Sequence, residues 1–174
     1  MLRFGSVVTA VILAGCSGID ISRDYDPHAD FAKLKTWAWI PPKPMNEEDV
    51  PRVTGLSRER IQSAIESELS ARDYQKVEPG TADFLVRYAA GVGRRLQEGS
   101  YSSGGDFYAY DEGRLIIDIL SGKDKRLMWR GMARTKVKFE MTPEERDERI
   151  KEAVHDIFEG FPPKTTATPE AEAK

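Results

Sequence analysis

The sequence predicts an α+β fold, in which a mixed or mostly antiparallel β-sheet carries two helices packed on one face. Several short segments alternate apolar and polar residues with the period of a strand, and two longer segments have the apolar period of a helix. The strands follow one another in runs, which favours α+β over an alternating order. With 174 residues, of which 40% are hydrophobic, the chain can form one compact domain.

The first two predicted strands lie near the N-terminus. Residues 19–26, IDISRDYD, alternate well enough for a strand, and residues 35–40, KTWAWI, form a second one that stops at Pro41 and Pro42. The side chains that share one face are Ile19, Ile21 and Tyr25 in the first strand, and Trp37 and Trp39 in the second.

A loop, a helix and two more strands follow. Residues 41–55 contain prolines and acids without periodicity, and they predict a loop. Ser57 is expected to cap a helix that runs to about Arg72, and residues 74–77 predict a short strand. Residues 83–92 alternate cleanly and predict a central strand. The apolar face of the helix consists of Ile61, Ala64, Ile65 and Leu69.

The next region predicts hairpins. Residues 99–113, GSYSSGGDFYAYDEG, are rich in Gly, Ser and Tyr and predict a long mobile hairpin tip. Residues 114–120 and 126–139 flank the turn SGKDK and predict a second hairpin. Apolar residues of the two strands lie on the same face only if the two residue numbers in each cross-strand pair add up to an even number near 246.

The last predicted helix has clear ends. Thr142 and Glu145 form a capping box around Pro143, which occupies the first helical position. Gly160 ends the helix, and residues 164–174 are expected to be disordered because they have little apolar surface to bury. The apolar face consists of Ile150, Ala153, Val154, Ile157 and Phe158.

Composition excludes several classes of function. The net charge of -3 and the pI near 5.6 argue against nucleic acid as a partner. One cysteine excludes an internal disulfide and a thiolate zinc cluster, and two histidines are too few for a metal site. The sequence has no GxSxG, HExxH or P-loop motif. We therefore expect no metal, no cofactor and no catalytic residues, hence a protein that is not an enzyme.

The N-terminus predicts a cleavable signal peptide over residues 1–15. Arg3 supplies the positive charge, and an apolar stretch of about ten residues follows, which covers only about half of a bilayer core. Leu13 to Cys16, LAGC, resembles the lipobox of bacterial lipoproteins. The resemblance implies cleavage between Gly15 and Cys16 and attachment of lipid to Cys16. The alternative is an ordinary secretory signal with a chance cysteine.

The resemblance also has consequences for location. Inner-membrane lipoproteins commonly carry Asp after the cysteine, so Ser17 implies sorting to the outer membrane, facing the periplasm. Residues 16–19 are then the lipidated N-terminus and a short tether, and the domain begins at residue 20.

Seven short motifs follow one another along the chain: DYDPHADF (24–31), KTWAW (35–39), ARDY (71–74), ADFLVRY (82–88), GRLIIDIL (113–120), LMWRG (127–131) and FPP (161–163). Together they resemble the DUF4136 family of bacterial envelope lipoproteins, over residues 20–163. The family implies a lipid-anchored or secreted α+β domain with no agreed activity, cofactor or catalytic residues. Asp73 stands where the family often has Gly, and Asp tolerates the left-handed conformation.

Asp118 is the most unusual carboxylate, because it lies in the middle of an apolar strand. The expected register places it opposite Met128, with Arg130 diagonally adjacent. It is either a ligand contact or an acid with a raised pKa, or else one member of a cross-strand ion pair with Arg130 or Arg87. Such pairs are common in proteins, which favours the structural interpretation.

Two sets of aromatic residues are candidates for binding. Aromatic side chains on a Gly-rich loop are not obviously part of a core, so they predict a possible binding loop: Tyr101, Phe107, Tyr108 and Tyr110. The tryptophans predict an aromatic groove or, as is more common, part of the core: Trp37, Trp39 and Trp129.

These observations predict a lipid-anchored envelope protein that binds or supports another component, with the membrane and an envelope protein or glycan as partners. A small-ligand carrier with a pocket between sheet and helices is one alternative, and an envelope hydrolase is another. A closed apolar cavity would favour the carrier, and clustered Asp, Glu and His in a cleft would favour the hydrolase.

Overall fold

The computed structural model describes residues 18–40, 55–98, 107–137 and 140–164. The predicted signal peptide, with Gly15 and Cys16, lies outside the described residues, as do the loop at 41–54 and Tyr101. The predicted tail lies outside them from residue 165 onward.

The fold is α+β, as predicted, and its six strands form one mixed sheet. The order across the sheet is β1-β6-β5-β4-β2-β3, with antiparallel pairs from β1 to β4 and parallel pairs between β4, β2 and β3. The strands are β1 (Ile19–Tyr25), β2 (Thr36–Trp39), β3 (Gln75–Lys76), β4 (Phe84–Glu98), β5 (Phe107–Ser121) and β6 (Leu127–Lys136).

Two helices cover one face of this sheet. Helix α1 spans Gly55–Ala71, so the expectation that Ser57 caps it is wrong, because the helical backbone already begins two residues earlier. Helix α2 spans Pro143–Phe158, and its capping box is confirmed. Thr142 Oγ1 accepts from the Glu145 amide at 3.2 Å, while Glu145 Oε2 accepts from the Thr142 amide at 2.7 Å. In the part of the chain that the structure describes, no helix has the length and apolar character needed to span a membrane.

The main core lies between the sheet and the helices. The predicted apolar faces of both helices point into it, and Trp129, Ile157 and Phe158 are completely buried there. Gly131 of β6 allows the close approach of α2. A Cβ atom on Gly131 would lie 2.4 Å from Ile157 Cγ2 and 2.5 Å from Trp129 Cη2, so no side chain fits between them.

Strand β1, near the start of the chain, contacts the last strand and the last helix of the domain. It pairs with β6 from Ile19 opposite Thr135 to Tyr25 opposite Trp129. Arg23 of β1 also donates hydrogen bonds to the backbone carbonyls of Ile157, at 3.0 Å, and Asp156. These carbonyls belong to the last turn of α2, where a cation interacts favourably with the helix dipole.

The β5–β6 register corrects two predictions. Paired residue numbers sum to 248 between Glu112 and Ile119, so the parity is even as expected over this stretch. Beyond it Leu120 pairs with Leu127, and Leu127 is 39% exposed, so the expectation that it faces the core with Trp129 and Gly131 is wrong. An irregularity after Ile119 shifts the pairing near the turn. Asp118 therefore lies directly opposite Arg130, and its expected placement opposite Met128 is wrong.

The region predicted as a hairpin tip at 99–113 is partly strand. Residues 107–113 belong to β5 and pair with Val92 to Glu98 of β4. The Gly and Ser residues before Phe107 suggested a loop, whereas the tyrosines that follow favour a strand. We call the outer part of this hairpin, Gly93–Glu98 with Phe107–Glu112, the β4–β5 arm.

One backbone prediction concerns the end of α1. Asp73 has φ = 63°, so it adopts the left-handed conformation that was expected at this position. Its amide donates to the carbonyl of Ser70, and the next residue, Tyr74, donates to Leu69. The turn leads the chain from α1 directly into β3.

Candidate functional site

Most of the charged residues in strands β4, β5 and β6 lie on the face of the sheet opposite the helices. We call it the helix-free face and define it by the residues that share a side with Asp118 in the strand register. These residues include Asp20, Ser22, Asp24, Leu85, Arg87, Ala89, Gly91, Gly93, Arg95, Tyr110, Glu112, Arg114, Ile116, Asp118, Arg130, Met132, Arg134 and Lys136.

Asp118 lies at the centre of a row of charges that crosses four strands. Arg130 donates to Asp118 Oδ1 at 2.6 Å and to Oδ2 at 2.9 Å, and Arg87 donates to Oδ2 at 2.8 Å. Only 4% of Asp118 is exposed. The hydrogen bond with Asp118 raises the pKa of Arg130 above its ordinary value. Both predicted arginines thus pair with Asp118, and both carboxylate oxygens are occupied.

A second cluster lies further along the same face. Glu112 Oε1 accepts from Arg114 Nη2 at 3.1 Å and from Arg95 Nε at 3.3 Å. Arg114 lies directly opposite Arg134, a like-charge pair that is unfavourable in a sheet. The buried Nε of Arg114 has no hydrogen-bond partner among the described atoms. Glu112 is the acid that offsets this excess of positive charge.

Burial alone would raise the pKa of Glu112, but hydrogen bonds from Arg114 and Arg95 hold it below the ordinary 4.5. A carboxylate with a lowered folded pKa stabilises the fold above its unfolded pKa, and the contribution is lost as the pH falls through the folded value. We therefore expect Glu112→Gln to reduce the free energy of unfolding at about pH 7, and this reduction to shrink as the pH falls below 4.5. Urea denaturation across this range measures the difference, with exposed Glu148→Gln as the control. An effect that does not change with pH would contradict the expectation.

The predicted binding loop is only partly described. Tyr110 lies in β5, half-buried, with Lys136 Nζ 4.9 Å from the centre of its ring. Phe107 and Tyr108 pair through their backbone with Glu98 and Gln97, and their side chains lie outside the described part of the structure. The three residues therefore belong to a strand of the β4–β5 arm and not to a loop.

The tryptophans lie in the core rather than in a groove. Trp37 and Trp129 are at most 2% exposed, and Trp129 stacks on Phe158 with ring centres 5.9 Å apart. Trp39 is half-buried, and its Nε1 donates to Glu66 Oε1 at 2.8 Å. The side chains between sheet and helices are packed together, and the buried Trp129 Nε1 has no hydrogen-bond partner among the described atoms.

Both histidines lie on the surface. His28 donates its backbone amide to Asp26 Oδ1 at 2.8 Å, and His155 Nδ1 lies 3.0 Å from Glu68 Oε1. Among residues 18–40, 55–98, 107–137 and 140–164, no group of three or more His, Cys, Asp or Glu is arranged to hold a metal ion.

A small cleft lies at the end of the sheet away from the arm. Its volume is about 380 Å³, and Lys33, Asp83 and Lys123 are among its lining residues. Asp83 Oδ2 accepts from the amides of Lys35 and Thr36 at 3.0 and 2.8 Å, and from the Thr36 hydroxyl at 2.9 Å. The carboxylate therefore fixes the start of β2.

The sequence analysis identified the Asp118 row but missed the Glu112 cluster. The signal was present, because RLIIDIL and MWRGMARTK alternate so that Arg114 falls on the side of Asp118, and Arg134 on the side of Arg130. Glu112 and Arg95 were missed because both lie in segments whose strand pairing the sequence did not reveal.

Comparison with known proteins identifies one family. A family model described as "Domain of unknown function (DUF4136)" matches residues 21–163. No similar sequence was found among curated proteins.

Three solved structures share the fold. A DUF4136 family protein from Bacteroides thetaiotaomicron is 16% identical with a TM-score of 0.52, and 82% of this chain aligns with 95% of it. A PDZ domain protein from Parabacteroides distasonis is 16% identical with a TM-score of 0.51; 83% of this chain aligns, but it spans only 35% of that protein. A PelC dodecamer from Paraburkholderia phytofirmans is 8% identical with a TM-score of 0.50, over 80% of this chain and 94% of that one.

Proposed function

The chain belongs to the DUF4136 family, and we propose that it is a lipid-anchored protein of the bacterial cell envelope that binds or supports another envelope component. In this proposal Cys16 holds the lipid and the protein faces the periplasm from the outer membrane. The protein acts through its surface and is not an enzyme.

The observation that carries the proposal is the single cysteine at the end of LAGC. A chain with one thiol, placed directly after a short apolar leader, has no disulfide partner for it in an oxidising compartment. Lipidation uses this thiol, and two or three acyl chains hold a protein on a membrane far better than one. The first strand, β1, begins at Ile19, so the domain starts within three residues of Cys16.

The charge clusters support a binding role over catalysis. Asp118 and Glu112 each accept hydrogen bonds from two arginines, so neither is free to act as an acid or base on a substrate. The helix-free face and the β4–β5 arm together offer charged and aromatic side chains on one continuous sheet, which suits recognition of an envelope protein or a glycan.

Replacing Cys16 tests the anchor. In the native host, we expect Cys16→Ala to abolish incorporation of a palmitate analogue and to release the protein from the membrane fraction, because no acyl chain remains. Ser17→Ala is the matched control, since it alters the neighbouring residue and leaves the thiol in place. Ser17→Asp is expected to move the protein from the outer to the inner membrane.

The opposite outcome is simple to recognise. If Cys16→Ala is found in the membrane fraction as fully as the wild type, and neither form takes up the palmitate analogue, the lipid anchor is ruled out. The leader would then be an ordinary secretory signal.

A further inference from the structure

We propose that the β4–β5 arm is a second membrane contact, which lies in the headgroup region of the same bilayer that holds the lipid on Cys16. The inference rests on the proposed lipid anchor. It concerns a different part of the molecule, and the experiment below separates the failure of one from the failure of the other.

The direction of the strands places the anchor and the arm at the same end of the sheet. Ile19, the first residue of β1, pairs with Thr135 of β6, which in turn lies opposite Gly113 of β5; Gly113 pairs with Val92 of β4. The chain that leads back to Cys16 leaves from this row. The arm continues from the same row, six residues further along each of its two strands.

The arm is about twice as long as the segment that joins Cys16 to the sheet. Cys16 lies three residues before Ile19, so it reaches at most about 11 Å from the sheet. Six residues of strand span about 20 Å, which is the distance that the arm extends past Ile19. With the strands pointing toward the bilayer, the arm therefore extends about 9 Å beyond the furthest reach of Cys16, so the arm meets the bilayer whenever Cys16 does.

A second orientation of the domain also lets Cys16 reach the membrane, but the charges on β1 disfavour it. Because β1 is the edge strand next to β6, the domain would also reach its anchor by lying with β1 along the membrane. The exposed residues of β1 on the helix-free face include Asp20 and Asp24, which anionic headgroups repel.

The end of the sheet that carries the arm has the opposite charge balance. Basic residues slightly outnumber acidic ones there: Arg94, Arg95, Arg114, Arg134 and Lys136 against Asp20, Glu98, Asp111 and Glu112. Arg94 is exposed, and Lys136 lies over the Tyr110 ring. Tyrosine rings and long basic side chains are favoured at the boundary between headgroups and water.

The backbone of the arm limits how deep it can lie. Beyond Val86, no described strand pairs with the β2 side of β4, and residues 107–110 of β5 have no partner in β6. Unpaired backbone groups are not tolerated in hydrocarbon, but they are satisfied by water and headgroups. An isolated two-stranded ribbon is only marginally stable in water, so contact with a surface would also support the arm.

Fluorescence quenching in vesicles tests the contact. Lipid occupies the thiol of Cys16, so an introduced cysteine is the only free thiol in the lipidated full-length protein. Ala109→Cys places an environment-sensitive dye on the arm, and Ala71→Cys is the matched control at the C-terminal end of α1; both alanines are exposed. Ser22→Cys places the dye on β1. The vesicles contain phosphatidylethanolamine and phosphatidylglycerol, with or without a lipid that carries a quencher at headgroup depth.

We expect quenching of at least about twofold at residue 109 and none at residue 71. Quenching at residue 22 but not at residue 109 would overturn the inference in favour of the β1-down orientation, and quenching at neither site would overturn it as well. If the protein does not float with vesicles and Cys16 still reacts with the dye, the lipid anchor itself has failed.

A charge reversal provides an independent check that does not depend on the dye position. Arg94→Glu, in the Ala109→Cys background, is expected to reduce the quenching at residue 109, because anionic headgroups repel the new carboxylate. Lys123→Glu makes the same change of charge at the other end of the sheet and should leave quenching unaltered. Equal effects of the two variants would contradict a local contact of the arm. Circular dichroism confirms that each variant is folded.

Discussion

Replacement of Phe158 by Ala is expected to lower the free energy of unfolding by about 4 kcal/mol, the largest effect of any single substitution considered. Phe158 is completely buried at the C-terminal end of α2. Its ring stacks on Trp129 and meets the edge of Phe161, each with ring centres 5.9 Å apart, and the Arg72 guanidinium lies 5.5 Å from its centre. Truncation therefore removes apolar contacts and leaves a cavity between β6 and both helices.

Thermal and urea denaturation measure this effect. For a domain of this size, about 4 kcal/mol corresponds to a decrease of roughly 10 °C in Tm. His155→Ala, in the same turn of α2, is the control, because His155 is largely exposed and its contact with Glu68 contributes at most about 1 kcal/mol. Similar losses for the two variants would mean that the aromatic cluster does not hold α2 on the sheet.

The second large effect is expected at Asp118. Asp118→Asn should lower the free energy of unfolding by about 2 kcal/mol, because Arg87 and Arg130 would lose their shared counter-ion in the middle of the sheet. Removal of one partner of a fully buried pair costs about 3 to 5 kcal/mol. The smaller figure reflects the arginine side chains, which are 23% and 41% exposed and so retain some contact with water.

Asp24→Asn is the matched control for Asp118→Asn. Asp24 lies in the same row, opposite Arg130, but it is exposed on the edge strand. We expect its loss to change the free energy of unfolding by less than about 0.5 kcal/mol. If Asp118→Asn has a Tm equal to that of the wild type, the carboxylate does not stabilise the sheet, and a role in ligand contact becomes the better explanation for its position.

The elements that depend only on neighbouring residues were predicted correctly. The capping box of Thr142 and Glu145 is complete within four residues, so the start of α2 is readable without any tertiary contact. The same holds for the alternating faces of β4, where Phe84 and Val86 are completely buried. The left-handed backbone of Asp73 was expected from the family resemblance, since the family often has Gly at this position.

Predictions failed where distant segments decide the outcome. An irregularity after Ile119 sets the pairing of Asp118, and no period in the sequence reveals where it lies. The arm residues were assigned to a loop because Gly and Ser surround them, although Tyr110 has a strand opposite it at Arg95. The pairing of β1 with β6 also could not be predicted, because several strands have a similar alternating pattern and any of them could have been the partner.

Some residues of the candidate site could likewise be predicted from local sequence, and others depend on the pairing of distant segments. Asp118 stood out because a charge interrupts an apolar strand, and its arginine partners were foreseeable from parity alone. The cluster around Glu112 depends on the pairing of the arm and was out of reach. Cys16 was identified without reference to any fold, because the lipobox resemblance depends only on the four consecutive residues LAGC.

The pairing of β1 with β6 has a consequence for the order of events during biogenesis. Ile19 and Thr135 are partners that lie 116 residues apart, and Arg23 contacts α2, the last helix of the domain. A chain that crosses a membrane from its N-terminus delivers β1 first and must keep it unpaired until almost the whole domain has followed. Such distant pairings fold slowly. The first strand of the domain is therefore the last to be paired, because its partner β6 and its contacts on α2 come almost at the end of the domain.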